Sequence, residues 1–338
     1  MIARILLGTA GILVMLSLLT GLWYKSQIAH PLGIDNGTLL AVSGGDTPHS
    51  VLKDLLAKSD HDLPVLVGKI WIKTALGKKP IQKGIYEIDA TMTIEQVYAL
   101  LQSGKQKQFS ITLVEGLTFK DWLGQLKQAP YLHDDWNEET SELLMDKLYK
   151  TLELEVSSWE GLLLAETYAY TAHSKISDIV VRAANALHNA LGLIQSSFPL
   201  PNELNSQYEA LILASIVEKE TAQPDERALI SGVFLNRLAL GMKLQTDPTV
   251  IYGIGEGFDG DITRAHLRQA TPYNTYVIKG LPPTPIAMVG REALQAVYQP
   301  MPTEFLYFVA KGDGTHQFSK TLAEHNKAVR KYQLGINE

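Results

Sequence analysis

Hydrophobic and polar positions change rhythm several times along the chain. Residues 5–24 form an uncharged apolar run, and twenty residues at about 1.5 Å each match a hydrocarbon core of roughly 30 Å. Beyond it, short apolar or alternating runs at 39–42, 84–88 and 110–114 are each followed by a threonine that opens a helical period: Thr47, Thr93 and Thr118. Apolar residues recur four and eight positions after each threonine (Val51 and Leu55, Val97 and Leu101, Trp122 and Leu126), which places each pair on one helix face. Pro48 behind Thr47, and Gln96 three residues after Thr93, are helix-start chemistry. The pattern predicts three strand–cap–helix units.

From 136 to 193 the period is mainly helical, broken at Trp159-Glu160-Gly161. Within it, 176–191 carries a stripe of Ile179, Val180, Ala183, Leu187 and Ala190 that reads as core packing. The Pro-rich stretch 198–202 ends that regime. Residues 208–222 are apolar round the whole circumference, which predicts a central helix, and a second helix is expected over 225–240, stopped by Gly241. Residues 305–310 and 316–318, joined through Lys311-Gly312-Asp313-Gly314-Thr315, predict a hairpin. The fold class is α+β. The expected division is 1–25 as tip and membrane anchor, 26–36 as tether, 37–108 as a small membrane-proximal α+β subdomain, and 109–338 as a larger mixed α/β domain.

Carboxylates on the central helix demand an explanation. Glu218 and Glu220 are two positions apart, so at roughly 100° per residue they point about 200° away from each other and cannot share one site. Glu218 shares its face with Leu211, Ala214, Ser215 and Ala222, mostly small, whereas Glu220 faces Leu213, Ile216 and Val217. Room beside Glu218 makes it the candidate acid, with a pKa raised by desolvation so that it stays protonated near neutral pH. Pairing of either glutamate with Arg227 or Arg237 is the alternative.

Other polar positions add to the candidate site. Gln245 and Asp247 precede Pro248 in a segment expected to be fixed and non-helical, with side chains projecting into a groove; an Asx-turn or helix cap is the alternative for Asp247. Tyr252, Tyr273 and Tyr276 offer flat faces for sugar rings, Asn274 offers donor and acceptor, and His316 stands either at the groove or on a surface turn.

Composition removes several classes. A net charge of −6 without long basic blocks argues against nucleic-acid binding. No cysteine is present, so thiolate chemistry and disulfides are excluded, and the nine histidines form no H-E-x-x-H motif. There is no G-x-S-x-G elbow and no phosphate-cradling glycine loop. No metal and no cofactor is expected.

SIVEKET at 215–221, LQTDPTVIYG at 244–253, TPYNTY at 271–276 and GLPPTPI at 280–286, in this order, resemble the endolytic murein transglycosylases of the MltG or YceG-like family. VEGLTF at 114–119, WEGLLLAETY at 159–168 and GDGTHQF at 312–318 extend the resemblance over most of the chain. It implies a single-pass protein of the bacterial inner membrane whose periplasmic domain cuts peptidoglycan glycan strands internally, between N-acetylmuramic acid and N-acetylglucosamine. It also implies a LysM-like membrane-proximal subdomain and a penicillin-binding peptidoglycan synthase as partner. The family's catalytic glutamate is assigned to Glu218, and its groove positions to Glu220, Gln245, Asp247, Asn274 and Tyr276, beside candidate contacts at Ser215, Tyr252, Tyr273 and His316. The chain departs from the family pattern at Ala165-Glu166, Thr284 and Met288-Val289, which bears on loop shape.

Arg4 before the apolar run and Trp23-Tyr24 at its end predict an N-terminus inside and the remainder outside. A cleaved signal peptide is the alternative, opposed by the bulky residues at the exit. Hydrolysis of lysozyme type, or glycan binding without catalysis, are the competing functions. A transglycosylase needs only one carboxyl group, because the muramic acid's C6 hydroxyl is a tethered acceptor in place of water.

Overall fold

The computed structural model describes residues 2–152 and 158–336. Two compact units divide the chain: Met1–Phe109 with Ala169–Ser174, and Ser110–Tyr168 with Lys175–Glu338. The class is α+β, with one N-terminal apolar helix.

The first unit begins with helix α1 (Ile2–Ala29). Its segment Leu7–Ala29 is long and apolar enough to cross a membrane, and the side chains of its most apolar stretch are not packed inside the protein. Strand β1 (Thr38–Val42), helices α2 (Pro48–Ala57) and α3 (Val65–Thr74), strand β2 (Gly84–Ile88) and helix α4 (Ile94–Ser103) follow. β1 and β2 pair antiparallel, Thr38 opposite Ile88 and Val42 opposite Gly84. The anticipated caps are present: the Thr47 and Thr93 side chains accept from the backbone N–H three residues on, and Ser50 and Gln96 return the bond. Val51, Leu55, Val97 and Leu101 all lie in the core, together with Trp71, Tyr86 and Tyr98.

Two features differ from expectation. Helix α3 was not anticipated from the pattern. Residues 26–36 are not a free tether either, because Ile28, Leu32 and Ile34 are buried in this core and the Leu32 N–H donates to the Met92 carbonyl at 2.9 Å.

The remaining elements are β3 (Gln108–Leu113), α5 (Phe119–Gln128), α6 (Glu138–Leu152), β4 (Glu166–Thr171), α7 (Ile176–Ser197), α8 (Gln207–Glu220), α9 (Pro224–Ala239), α10 (Asp247–Ile254), α11 (Arg291–Tyr298), β5 (Tyr307–Ala310), β6 (His316–Ser319) and α12 (Leu322–Gln333). β3 pairs with β4, and β5 with β6 as the expected antiparallel hairpin. β4 interrupts the stretch expected to be helical, of which residues 153–157 lie outside the described residues. In the second unit α8 is the central helix: Ala210 through Glu218 are buried without a break, against α9 and α11. α9 closes on Gly241 in the left-handed region (φ 63°), as the sequence predicts.

Candidate active site

The site grows from the last turn of α8. Glu220 is half-buried there, and its Oε1 accepts the Thr246 hydroxyl proton. Thr246 is held in turn: its N–H donates to Thr275 Oγ1 at 3.0 Å, and Thr249 and Thr275 share a hydroxyl bond of 2.8 Å, all three side chains being buried. Three short hydroxyl side chains thus pin the 245–249 segment beneath the carboxyl group. Gln245 sits at φ 48°, and its N–H donates to the Thr275 carbonyl at 3.2 Å. Asp247 opens α10, with Pro248 behind it, so the expected non-helical segment ends one residue earlier than its proline suggests. Its Oδ1 accepts from the Tyr276 hydroxyl at 2.6 Å.

These side chains converge on one cavity of about 530 Å³, lined by Glu220, Gln245, Asp247, Tyr276 and His316. Arg237 and Tyr307 form a further wall, and α12 completes it with His325 and Asn326. Arg237 is buried with its guanidinium 5.2 Å from the Tyr307 ring centre; its Nε donates to the Leu306 carbonyl at 2.6 Å and its NH1 to the Leu244 carbonyl at 2.7 Å. It ties α9 to both the hairpin and the 244–247 segment. His316 Nδ1 lies 2.7 Å from Glu226 Oε2, and its backbone N–H donates to Glu226 Oε1 at 2.9 Å.

Electrostatics follow from the burial. The Glu220 carboxyl is pushed up to about 7 by desolvation, against the Thr246 hydrogen bond and with Asp247 raising it further. The carboxyl group therefore keeps a proton to higher pH than an ordinary glutamate. Burial also raises the Tyr276 hydroxyl, which keeps it a donor to Asp247.

Glu218, expected to be the acid, occupies different surroundings. Its Oε2 accepts the Gly290 N–H at 2.9 Å, Arg227 lies 3.5 Å from Oε1, and its side chain is only 3% exposed. The small-residue face that suggested room is filled by the 286–290 segment: Ser215 Oγ accepts the Ile286 N–H at 3.0 Å and Gly290 closes on Glu218. Burial raises the Glu218 pKa, opposed by Gly290 and Arg227. This is the paired arrangement that the sequence left as the alternative, and it puts Glu218 outside the walls of the large cavity.

Four more candidate contacts do not line that cavity. Ser215 is fully buried as a link between α8 and the 286 loop. Asn274 is 1% exposed and braces its own loop, donating to the His266 and Gln269 carbonyls at 3.0 and 2.7 Å and accepting the Tyr276 N–H at 3.0 Å. The Tyr252 and Tyr273 rings pack at 4.9 Å; Tyr252 donates to Glu160 Oε2 at 3.3 Å and Tyr273 bonds Thr284 Oγ1 at 2.9 Å. These residues shape the loop that presents Tyr276.

Sequence reasoning passed over Thr246, the wall role of Arg237, and the whole of α12. The signal for α12 was present as a capping box, Thr321 with Glu324. Among the described residues no cluster of three or more His, Asp or Glu side chains suits a metal ion.

A model of the YceG-like family matches residues 40–331. The chain is 29% identical over 334 residues to an endolytic murein transglycosylase of Bacillus subtilis, covering 93% of this chain and 91% of that protein. A protein of the same name from Streptococcus pneumoniae is 27% identical over 286 residues, and the match spans 75% of this chain but about half (51%) of that longer protein. The crystal structure of a YceG-like protein from Listeria monocytogenes superposes with a TM-score of 0.56 at 25% identity, covering 87% of this chain and 99% of that one.

Proposed function

We propose that this chain, which belongs to the YceG-like family, is a membrane-anchored lytic transglycosylase that cuts peptidoglycan glycan strands internally, with Glu220 as its proton donor. The observation that carries the reading is the convergence of Glu220, Gln245, Asp247, Tyr276 and His316 on one cavity, four of them from the motifs that mark the family. The names of the relatives supply the substrate class.

The chemistry follows from the acid's surroundings. A strand enters with the glycosidic oxygen between N-acetylmuramic acid and N-acetylglucosamine at Glu220. A carboxyl group with a pKa of about 7 holds a proton at working pH and is strong enough to release it to a leaving oxygen. As the bond from C1 to that oxygen breaks, the muramic acid's C6 hydroxyl oxygen attacks C1 and loses its proton, leaving a 1,6-anhydro end. The acceptor is tethered, so proximity replaces a second carboxylate. Tyr276, Asp247 and Gln245 contribute hydrogen bonds to sugar hydroxyls along the wall.

The apolar helix Leu7–Ala29 supports single-pass anchoring in the inner membrane with both units outside, and the strand–helix–helix–strand order of the first unit supports the LysM-like reading. A catalytic unit held at the membrane would act on nascent strands, beside a penicillin-binding synthase, and terminate their elongation. Digestion of purified peptidoglycan tests the reaction. Anhydro ends, one water lighter than hydrolytic products and resistant to borohydride, are expected from strand interiors; reducible ends labelled by oxygen-18 water would make the protein a hydrolase, and glycan binding without cleavage a scaffold.

A further inference from the structure

We infer that His316 is a second catalytic residue of this site, the base that takes the C6 hydroxyl proton, and that Glu226 is the residue that positions it. The inference rests on the transglycosylase reading above. Glu226, on α9, holds His316 by two bonds from one carboxylate: Oε1 accepts the backbone N–H at 2.9 Å and Oε2 meets Nδ1 at 2.7 Å. Gripping backbone and ring together fixes the imidazole's rotamer as well as its tautomer. Nδ1 carries the proton toward Glu226, so Nε2 is the nitrogen left to accept one.

The pair is nearly dry, with side chains 11% and 15% exposed, and the ring packs edge-on against Phe308 at 5.4 Å. A buried carboxylate–imidazole pair contributes little net stability once desolvation is counted. Its position on the wall of the cavity that holds Glu220 gives it another use. A carboxylate behind an imidazole on the wall of a substrate cavity is the arrangement that stabilises the imidazolium formed when such a base takes a proton.

The proton and electron balance closes without any further reactant. Glu220 gives its proton to the glycosidic oxygen, which leaves with the electron pair of its bond to C1. The C6 oxygen forms its bond to C1 and passes its proton to Nε2. The site is left as Glu220 carboxylate and His316 imidazolium, and transfer of one proton from the second to the first, directly or through solvent, restores it. The charged and titratable groups about His316 are Glu226 and Arg237 from α9, Glu220 from α8, and Asp247, Tyr276, Tyr307 and His325 around the cavity.

Turnover of purified glycan strands tests the assignment in the full-length protein. His316→Gln is expected to lower kcat by about 10²- to 10⁴-fold with little change in KM. Glu226→Gln should lower kcat less and leave KM unchanged, a split that a merely structural carboxylate would not produce. Added imidazole should restore part of the activity of His316→Ala. Melting temperatures near wild type identify these losses as chemical. A kcat of His316→Gln within about threefold of wild type, or a kcat of Glu226→Gln equal to that of the wild type, overturns the inference. Anhydro ends from the wild-type protein in that same assay keep the transglycosylase reading intact; their absence would defeat that reading instead.

Discussion

With Glu220 as the proposed proton donor, activity and stability would be coupled through one proton. The Glu220 pKa is raised from 4.5 to about 7 in the folded protein, so between those values the native state binds more protons than the unfolded chain, and stability falls as pH rises. The stabilising condition is complete below 4.5 and is lost as pH climbs through about 7. At about 1.4 kcal/mol per unit the difference amounts to at most roughly 3 kcal/mol. Glu220→Gln should therefore match the wild-type melting temperature near pH 4.5 and exceed it increasingly toward pH 8, while glycan cleavage is abolished at every pH. Glu218→Gln should do the reverse. It keeps a group for the Gly290 N–H but removes the partner of Arg227, so stability falls by about 1 to 3 kcal/mol while cleavage by the folded fraction persists. Loss of turnover confined to Glu218→Gln would return the acid's role to that residue. The sequence made both glutamates visible, and its small-residue face favoured Glu218. Helical spacing gives the direction of each side chain, but the occupant of each face comes from residues 246 and 286–290, remote in the chain.

Elements were legible where their starts carried chemistry. Thr47, Thr93 and Thr118 each cap a helix with a reciprocal bond, and the apolar pairs behind them are buried. α3 escaped because it begins at Pro64 without a side-chain cap and its run VLVGKIWIKT is rich in β-branched residues, which blurs helix with strand. β4 escaped because ETYAYT is six residues between helices, its pairing set by a strand far away in sequence. Close approach of elements was equally hidden. Gly232 on α9 lies against the chain at 301–303, where an added Cβ would come within 2.5 Å of the Met301 carbonyl oxygen. That contact matters to the site, because Asn236 Nδ2 donates to the Thr303 carbonyl at 2.8 Å and Arg237 Nε to the Leu306 carbonyl at 2.6 Å, so α9 carries the hairpin that bears His316. Gly232→Ala should lower stability by about 2 kcal/mol through overpacking, read as a lower melting temperature, and should reduce turnover by displacing the hairpin. An unchanged melting temperature would mean that the 301–303 chain yields freely.

At the scale of the whole molecule, the apolar helix and the first unit are one piece. Leu7–Ala29 contains twenty-three residues, about 35 Å of helix, which exceeds a hydrocarbon core of roughly 30 Å. Its C-terminal end does not hang free: Ile28 is buried, Tyr24 packs on the same core, and α1 contacts α3 and α4. A spacer of residues 26–36 would have left the first unit free to swing about the apolar helix; the packed segment instead holds the two together. Two truncations separate anchoring from folding. The full chain is expected to stay in the membrane fraction through an alkaline wash, and a chain beginning at Trp23 should be water-soluble with its first unit intact. A chain beginning at Pro31 should also be soluble but lose the packing of Tyr24 and Ile28, lowering that unit's stability by about 2 kcal/mol on the scale of buried apolar side chains. Equal melting of the two truncated chains would make residues 23–30 a mere connector, and a mature protein starting near residue 24 in its native host would replace the anchor with a cleaved leader.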